Sequence, residues 1–176
     1  MASGEWSGQL LIEYRLVETS LGRIIIAAHR RAVCYLSFKI CKDALAACFA
    51  RADIQMAHSG LDGLCDLVLA AIEDPAKIAD VPVTMTGTDF QLSVWKQLQQ
   101  IPLGETRSYA DIAQAIGNPA ATRAVGAANG ANKIAVLIPC HRIIRSDGSL
   151  GGYAGGVKLK KALLDREKAM PQPAFL

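Results

Sequence analysis

The chain has 176 residues, 51% of them hydrophobic, and a formal net charge of +3, which is enough apolar material for one generous domain or two small ones that share an interface. No stretch approaches the ~20 uninterrupted apolar residues of a membrane span, and the N-terminal "MASGEWSGQ" has neither the basic region nor the apolar core of a secretion signal, so a soluble protein of the cytoplasm (or of the nucleus in a eukaryote), without a membrane partner, is expected. Residues 1–87 carry 8 basic and 10 acidic side chains whereas residues 88–176 carry 11 and 6, so a polyanion would meet the second half.

In chain order, "QLLIEYRLV" (9–17) and "GRIIIAAHRRAVCYLSF" (22–38) read as apolar strands, the second broken at "HRRA" where a hairpin can turn. Helical patterns follow in "KDALAACFARA" (42–52) and "LDGLCDLVLAAIED" (61–74); the latter places Leu61, Leu64, Cys65, Val68, Leu69 and Ile72 on one face ahead of Pro75. At "DVPVTMTGTDF" (80–90) a short extended piece gives way to helices. The predicted organisation is therefore a small α/β domain over 1–87, a sheet with helices, and a mainly helical domain over 88–176.

Thr88 and Gln91 have capping-box spacing ahead of "FQLSVWKQLQQI" (90–101), whose Phe90, Val94, Trp95, Leu98 and Ile101 form an apolar stripe ending at Pro102. Ser108 can cap "YADIAQAIG" (109–117), and after the break at Gly117 the pair Asn118-Pro119 can start "AATRAVGAANG" (120–130). Helix, tight turn, helix is the outline of a helix-turn-helix. The second helix carries Ala120, Ala121, Ala124, Gly126, Ala127, Ala128 and Gly130 and is almost bare. Such a helix can come close to a surface but has little with which to read base edges; close packing inside the protein is the ordinary alternative. Its one long cation, Arg123, suits a phosphate or a plain solvated surface. "KLKKALLDREKA" (158–169) is the last predicted helix.

Cysteines stand at 34, 41, 48, 65 and 140, an odd number in a chain too large to need disulfide staples, and none has the CxxC spacing of a structural zinc site. Reduced thiols, mostly small buried residues, are expected, with no metal and no cofactor.

"VLIPCHRII" (136–144) is the exception. A thiol is a poor nucleophile until ionised, and here a histidine adjoins it just after a proline. Neighbouring side chains diverge, so a water bridging Cys140 and His141 is easier than a direct bond. A histidine acting as base needs an orienting carboxylate, for which Glu167 in the last helix is the candidate. Lys160, seven residues before it, projects from the same helix face and would favour negative charge near the thiol. Spacing alone leaves both as surface charges and Cys140 as a buried thiol in an apolar strand.

With "IPCHRIIRSDGSLGGYAGG" (138–156) standing behind the helix-turn-helix, the chain resembles the O6-alkylguanine-DNA alkyltransferases, or methylated-DNA–protein-cysteine methyltransferases, bacterial type. The resemblance runs from "GTDFQLSVWKQLQQIPLGETRSYADIA" (87–113) to "LLDREKA" (163–169) and includes the family's Pro-Cys-His-Arg signature; residues 9–87 match in general layout only. It implies a winged helix-turn-helix-like DNA-binding motif and a monomer that binds duplex DNA through the minor groove, largely without regard to sequence. The protein would flip O6-alkylguanine out of the duplex and move the alkyl group irreversibly to its own Cys140, once per molecule, and would also act on O4-methylthymine.

By the same resemblance, His141 and Glu167 form a water-linked relay to Cys140, and Asn132 braces the turn before it. Tyr109 rotates a phosphate and bonds the flipped guanine. Arg123 fills the vacated stack, with Ala121, Ala124 and Gly126 against DNA. Tyr153 and Ala154 wall the base pocket, Lys160 stands at its rim, and the carbonyls of Cys140 and Ile143 accept the exocyclic amine. Three departures stand out: no set of ligands for the N-terminal zinc site of human-like members, Ala135 where those members have proline, and Asn129 and Ala154 in place of other lining residues. The cysteine-rich phosphotriester-sensing segment of the adaptive-response regulator has no counterpart, so no transcriptional role is expected. Two alternatives remain: an alkyltransferase-like lesion binder, which would carry tryptophan at 140, and a Cys-His hydrolase, which would turn over without DNA.

Overall fold

The computed structural model describes residues 10–168; the stretch 1–9 and Ala169, at the end of the last predicted helix, lie outside them. Three strands open the chain: β1 (Leu10–Thr19), β2 (Gly22–His29) and β3 (Ala32–Ser37). β1 and β2 are antiparallel, as are β2 and β3. The turn between β2 and β3 falls at the predicted place, with Arg30 and Arg31 at φ 47° and 65°, positive at both central positions as in a turn that follows the twist of its strands.

A helix predicted over 42–52 is shorter. α1 (Lys42–Cys48) stops where Phe49 leaves helical geometry and buries its ring beside Leu45. The chain then forms β4 (Ala52–Met56), which pairs parallel to β1. Sheet order is β3-β2-β1-β4. In β2, Ile24 and Ile26 join one core while Ile25 and Ala27 join another on the opposite face, which explains an unbroken apolar run where a half-exposed strand would alternate. α1 covers one face. The other packs on α2 (Asp62–Glu73), where Leu61, Leu64, Cys65, Val68, Ala71 and Ile72 are buried and Leu69 is only half-buried.

After a 3-10 turn at Pro75–Asp80 comes α3 (Asp89–Gln99). Its predicted capping box is present: Gln91 N–H donates to Thr88 Oγ1 at 3.2 Å and Thr88 N–H to Gln91 Oε1 at 2.9 Å. β5 (Arg107–Ser108) leads into α4 (Tyr109–Ala115), capped by Ser108, and a 3-10 turn at Pro119–Ala121 leads into α5 (Thr122–Gly130). Ala121 thus belongs to the turn. A further 3-10 turn, Cys140–Arg142, precedes β6 (Ile143–Ile144), parallel to β5, and α6 (Val157–Arg166) follows. The small α/β half and the mainly helical half with its helix-turn-helix are those the sequence predicts.

One core joins them. Ile24, Leu36, Val68, Trp95, Ile112, Val125, Ile138 and Leu163 all belong to a single buried cluster. The edge of β3 is also used by the second half: Leu36 N–H donates to Lys133 O at 2.9 Å and Ala135 N–H to Leu36 O at 3.0 Å. The β3 edge, which pairs with the 82–84 segment at Val33, thus also holds the segment that leads to Cys140.

Candidate active site

Between α5 and Cys140 the chain folds back tightly, and Asn132 fastens the fold. Its Oδ1 accepts from Ile134 N–H at 3.0 Å; its Nδ2 lies 2.9 Å from Ile138 O and 3.0 Å from Cys140 Sγ. One amide thus satisfies the backbone at both ends of the turn and donates to the sulfur. Inside the turn Val136, buried and β-branched, has φ 69°, a left-handed conformation that costs on the order of 1–3 kcal/mol and persists only where surroundings impose it.

Cys140 begins a 3-10 turn rather than sitting in a strand, and it is 6% exposed. It lies in the wall of a cavity of about 920 Å³ that Tyr109, Asn129, Asn132, Tyr153 and Ala154 also line, and which extends to Phe38 and Cys41 of the first half. Burial raises the thiol's pKa; the bond from Asn132 and the charge of Lys160 oppose that rise without cancelling it. At neutral pH the resting group is therefore a thiol, and attack requires its proton to be taken.

His141 is fully buried, and its Nε2 lies 2.9 Å from Glu167 Oε1. Burial would raise the pKa of Glu167, but the bonds and charges of His141 and Arg142 bring it below its usual value. The carboxylate is ionised and can only accept, so Nε2 carries the imidazole proton. Nδ1 is left as the basic nitrogen, buried and with no hydrogen-bond partner among the described residues. Burial also lowers the pKa of His141, more than Glu167 raises it, so the ring is neutral and able to accept a proton at pH 7.

Arg142, which spacing did not single out, completes the cluster. Its Nε and Nη2 donate to the two oxygens of Glu167 at 2.8 and 2.9 Å, and Nη1 to Ile101 O at 2.6 Å. The guanidinium thereby fixes the carboxylate that fixes the histidine. Its signal in the sequence was a charge inside an apolar run, since a buried charge requires a partner.

Glu167 sits at the C-cap of α6, and Lys160 lies in the helix seven residues, about two turns, before it. Neither is a surface charge, as spacing alone would have them: they are 7% and 0% exposed. Lys160 Nζ donates to the carbonyls of Ile143 and Leu150; the Ile143 oxygen keeps a second lone pair for another donor. Burial lowers the lysine pKa to about 8, with the thiol opposing and Arg145 adding to the effect. Tyr153 Oη is buried beside the Cys140 thiol, and burial together with that thiol pushes its pKa well up. All five cysteines are free; Cys41 is exposed and Cys48 half-buried, so the expectation of buried small residues holds for Cys34 and Cys65 but not for these two.

Beside the cavity mouth, Arg123, Ala124, Ala127 and Gly130 form the exposed face of α5, while Val125, Ala128 and Asn129 face inward. Trp95 Nε1 donates to Ala128 O at 2.9 Å and pins the helix. Tyr109, half-buried at the start of α4, has its ring against Gly126.

A family model described as "6-O-methylguanine DNA methyltransferase, DNA binding domain" matches residues 89–169. A methylated-DNA–protein-cysteine methyltransferase of Mycobacterium tuberculosis is 40% identical over 159 residues, 90% of this chain and 94% of that protein. The chain belongs to the methylated-DNA–protein-cysteine methyltransferase family. The bifunctional transcriptional activator and DNA repair enzyme Ada of Escherichia coli is 39% identical over 162 residues, 90% of this chain but 46% of Ada. Among solved structures, that of Mycobacterium tuberculosis OGT in complex with DNA superposes with TM-score 0.75 at 38% identity, covering 90% of this chain and 95% of the other. In this methyltransferase, then, Cys140, His141, Glu167, Asn132 and Lys160 converge on one site, with Tyr109, Tyr153, Ala154 and the Ile143 carbonyl around it and Arg123 on the adjoining helix.

Proposed function

We propose that this chain is a DNA repair methyltransferase that takes O6-alkylguanine out of duplex DNA and moves the alkyl group to Cys140 Sγ. The observation that carries the reading is the position of that sulfur: in a cavity wall, one residue before a buried His141–Glu167–Arg142 hydrogen-bonded chain, next to a helix whose exposed face is nearly bare. A water between Cys140 Sγ and His141 Nδ1 would carry the thiol proton to the imidazole. Sulfur then attacks the alkyl carbon in line; the S–C bond forms, the O6–C bond breaks, and its electron pair stays on the purine, which is reprotonated as guanine. Lys160, together with the Tyr109 and Tyr153 hydroxyls, offers cationic or donor groups to the charge that develops there.

Unstacking the base costs a few kcal/mol, offset by Arg123 entering the stack and by the Cys140 and Ile143 carbonyls accepting the exocyclic amine. The exposed face of α5 with Ala124, Ala127 and Gly130, flanked by the half-buried Ala121 and Gly126, suits close approach in a minor groove with little sequence readout. A thioether is not readily reversed, so each molecule acts once, as a monomer in the cytoplasm. O4-methylthymine, with the same alkyl–oxygen geometry, is a second substrate. The division near residue 87 separates a bracing half from the half that binds and reacts.

Incubation with duplex DNA containing O6-methylguanine should add one methyl mass to the intact protein, on the peptide containing Cys140, with stoichiometric loss of the lesion. Cys140→Ala should bind the same DNA and transfer nothing. An unchanged mass after complete exposure sinks the proposal, and multiple turnovers on an ester or amide without DNA would favour a hydrolase.

A further inference from the structure

Past β6 the chain makes a tight turn, with Arg145 N–H donating to Ser149 O at 2.8 Å and Gly148 N–H to Arg145 O at 2.9 Å. This turn returns the chain to Gly151, at φ 66°. A β-carbon there would lie 3.5 Å from Tyr109 Oη and 3.6 and 3.7 Å from Arg145 Cγ and Nε. The arginine and the tyrosine hydroxyl thus flank one point, left open because residue 151 has no side chain. Arg145 is exposed, and its guanidinium makes no hydrogen bond or ion pair with any described residue. The one carboxylate in its turn, Asp147, accepts Ser149 N–H at 2.9 Å. Its charge acts on Asp147, Tyr109 and Lys160, and Tyr109, across the Gly151 opening from it, lines the cavity, so the guanidinium stands beside the cavity with no hydrogen bond to a described residue to hold it there.

We infer that Arg145, placed beside Tyr109, is a DNA-binding residue that grips a backbone phosphate next to the everted nucleotide. Guanidinium and phosphate match in charge and in bidentate geometry, and the Tyr109 hydroxyl, with one proton to donate, stays with the base. A grip at this point would hold the rotated backbone while the base occupies the cavity, a task distinct from that of Arg123 on α5. The inference rests on the extrahelical-base reading above.

Arg145→Gln and Arg145→Lys would be compared with the parent on O6-methylguanine in duplex DNA and on the free O6-methylguanine base, with DNA affinity measured across salt concentrations. Loss of one charged contact should cost Arg145→Gln about tenfold more on duplex than on the free base and should lower the slope of log K against log salt by about 0.9. Arg145→Lys should recover most of both. Uncharged methylphosphonate linkages, placed one at a time on either side of the lesion, should erase the Arg145→Gln penalty at one of the two positions. Equal losses on duplex and free base, an unaltered salt slope, or a penalty that persists at both positions would each overturn the phosphate grip. The alkyl-transfer reading would survive those outcomes, because it stands on whether the parent protein gains the methyl group.

Discussion

A buried thiol whose pKa is raised, next to a buried imidazole whose pKa is lowered, is a pair biased toward its neutral form. Burial, the leading cause for both groups, disfavours thiolate and imidazolium alike. Transfer should therefore proceed with the proton moving only as the sulfur attacks, and activity should persist on acidification until His141 protonates, at a pH below its ordinary 6.5. Glu167→Gln removes the partner that raises the imidazole pKa, so the acid limb should move to still lower pH while the rate at neutral pH drops by about a hundredfold; a pH–rate profile of single-turnover transfer reads both. Stability has its own sign. The folded-state pKa of Glu167 lies below its ordinary 4.5, so its contribution is present above that pH and is lost as pH falls through the folded value. Thermal midpoints of the parent should drop on that interval more than those of Glu167→Gln. Asn132→Ala, which frees the strained turn at Val136 and leaves the Ile134 N–H without its acceptor, should destabilise by about 1–3 kcal/mol and slow transfer beyond what stability explains. Of these residues the sequence singled out the thiol and the histidine through their adjacency, and Glu167 as a candidate carboxylate that spacing alone left on the surface. It did not show that Arg142 and Lys160 are interior, because their partners are backbone carbonyls and a carboxylate that only the fold brings near.

At the level of elements, the parts legible in the sequence are those fixed locally. The capping box at Thr88, the cap at Ser108, the stop at Pro102 and the break at Gly117 all act within a few residues of themselves, and each of those helices lies within a residue or two of its predicted place. β4 was hidden although "ADIQM" alternates apolar and polar residues, because five residues that begin inside a helical pattern are too short to stand out; it is a strand through pairing with β1, some forty residues earlier. The bare face of α5 is a local feature too, since periodicity puts Arg123, Ala124, Ala127 and Gly130 together. If that face meets a groove closely, added bulk should weaken DNA binding while leaving the fold intact. Ala127→Leu should reduce duplex affinity by about tenfold or more, on the order of the overpacking cost of one large side chain, with a thermal midpoint close to that of the parent because residue 127 is exposed. Fluorescence anisotropy with a labelled duplex, next to a melting curve, separates the two effects.

Across the whole molecule, the first half is more than an appendage. Its β3 edge holds Lys133 and Ala135 through backbone hydrogen bonds, Arg166 at the end of α6 reaches back to Ile72 O at 2.6 Å, and one apolar cluster runs from Ile24 to Leu163. Composition, which changes near residue 87, could not show this, since packing between halves depends on which faces meet. A shared core predicts shared unfolding. In a Trp6→Phe background Trp95, 2% exposed, reports on the second half by fluorescence. Cys34, also 2% exposed and with its pKa pushed up by burial to about 12, reports on the first by its unreactivity toward a thiol reagent. In a urea titration the Trp95 signal and pulsed alkylation of Cys34, located by peptide mass, should share one midpoint and one slope, as expected of a single cooperative unit. Labelling of Cys34 at lower urea than the Trp95 transition would mean that the sheet opens by itself, and that the hinge before Cys140 keeps its shape without the β3 edge. Coincident curves would mean instead that the strained turn at Val136 is held by the fold as a whole.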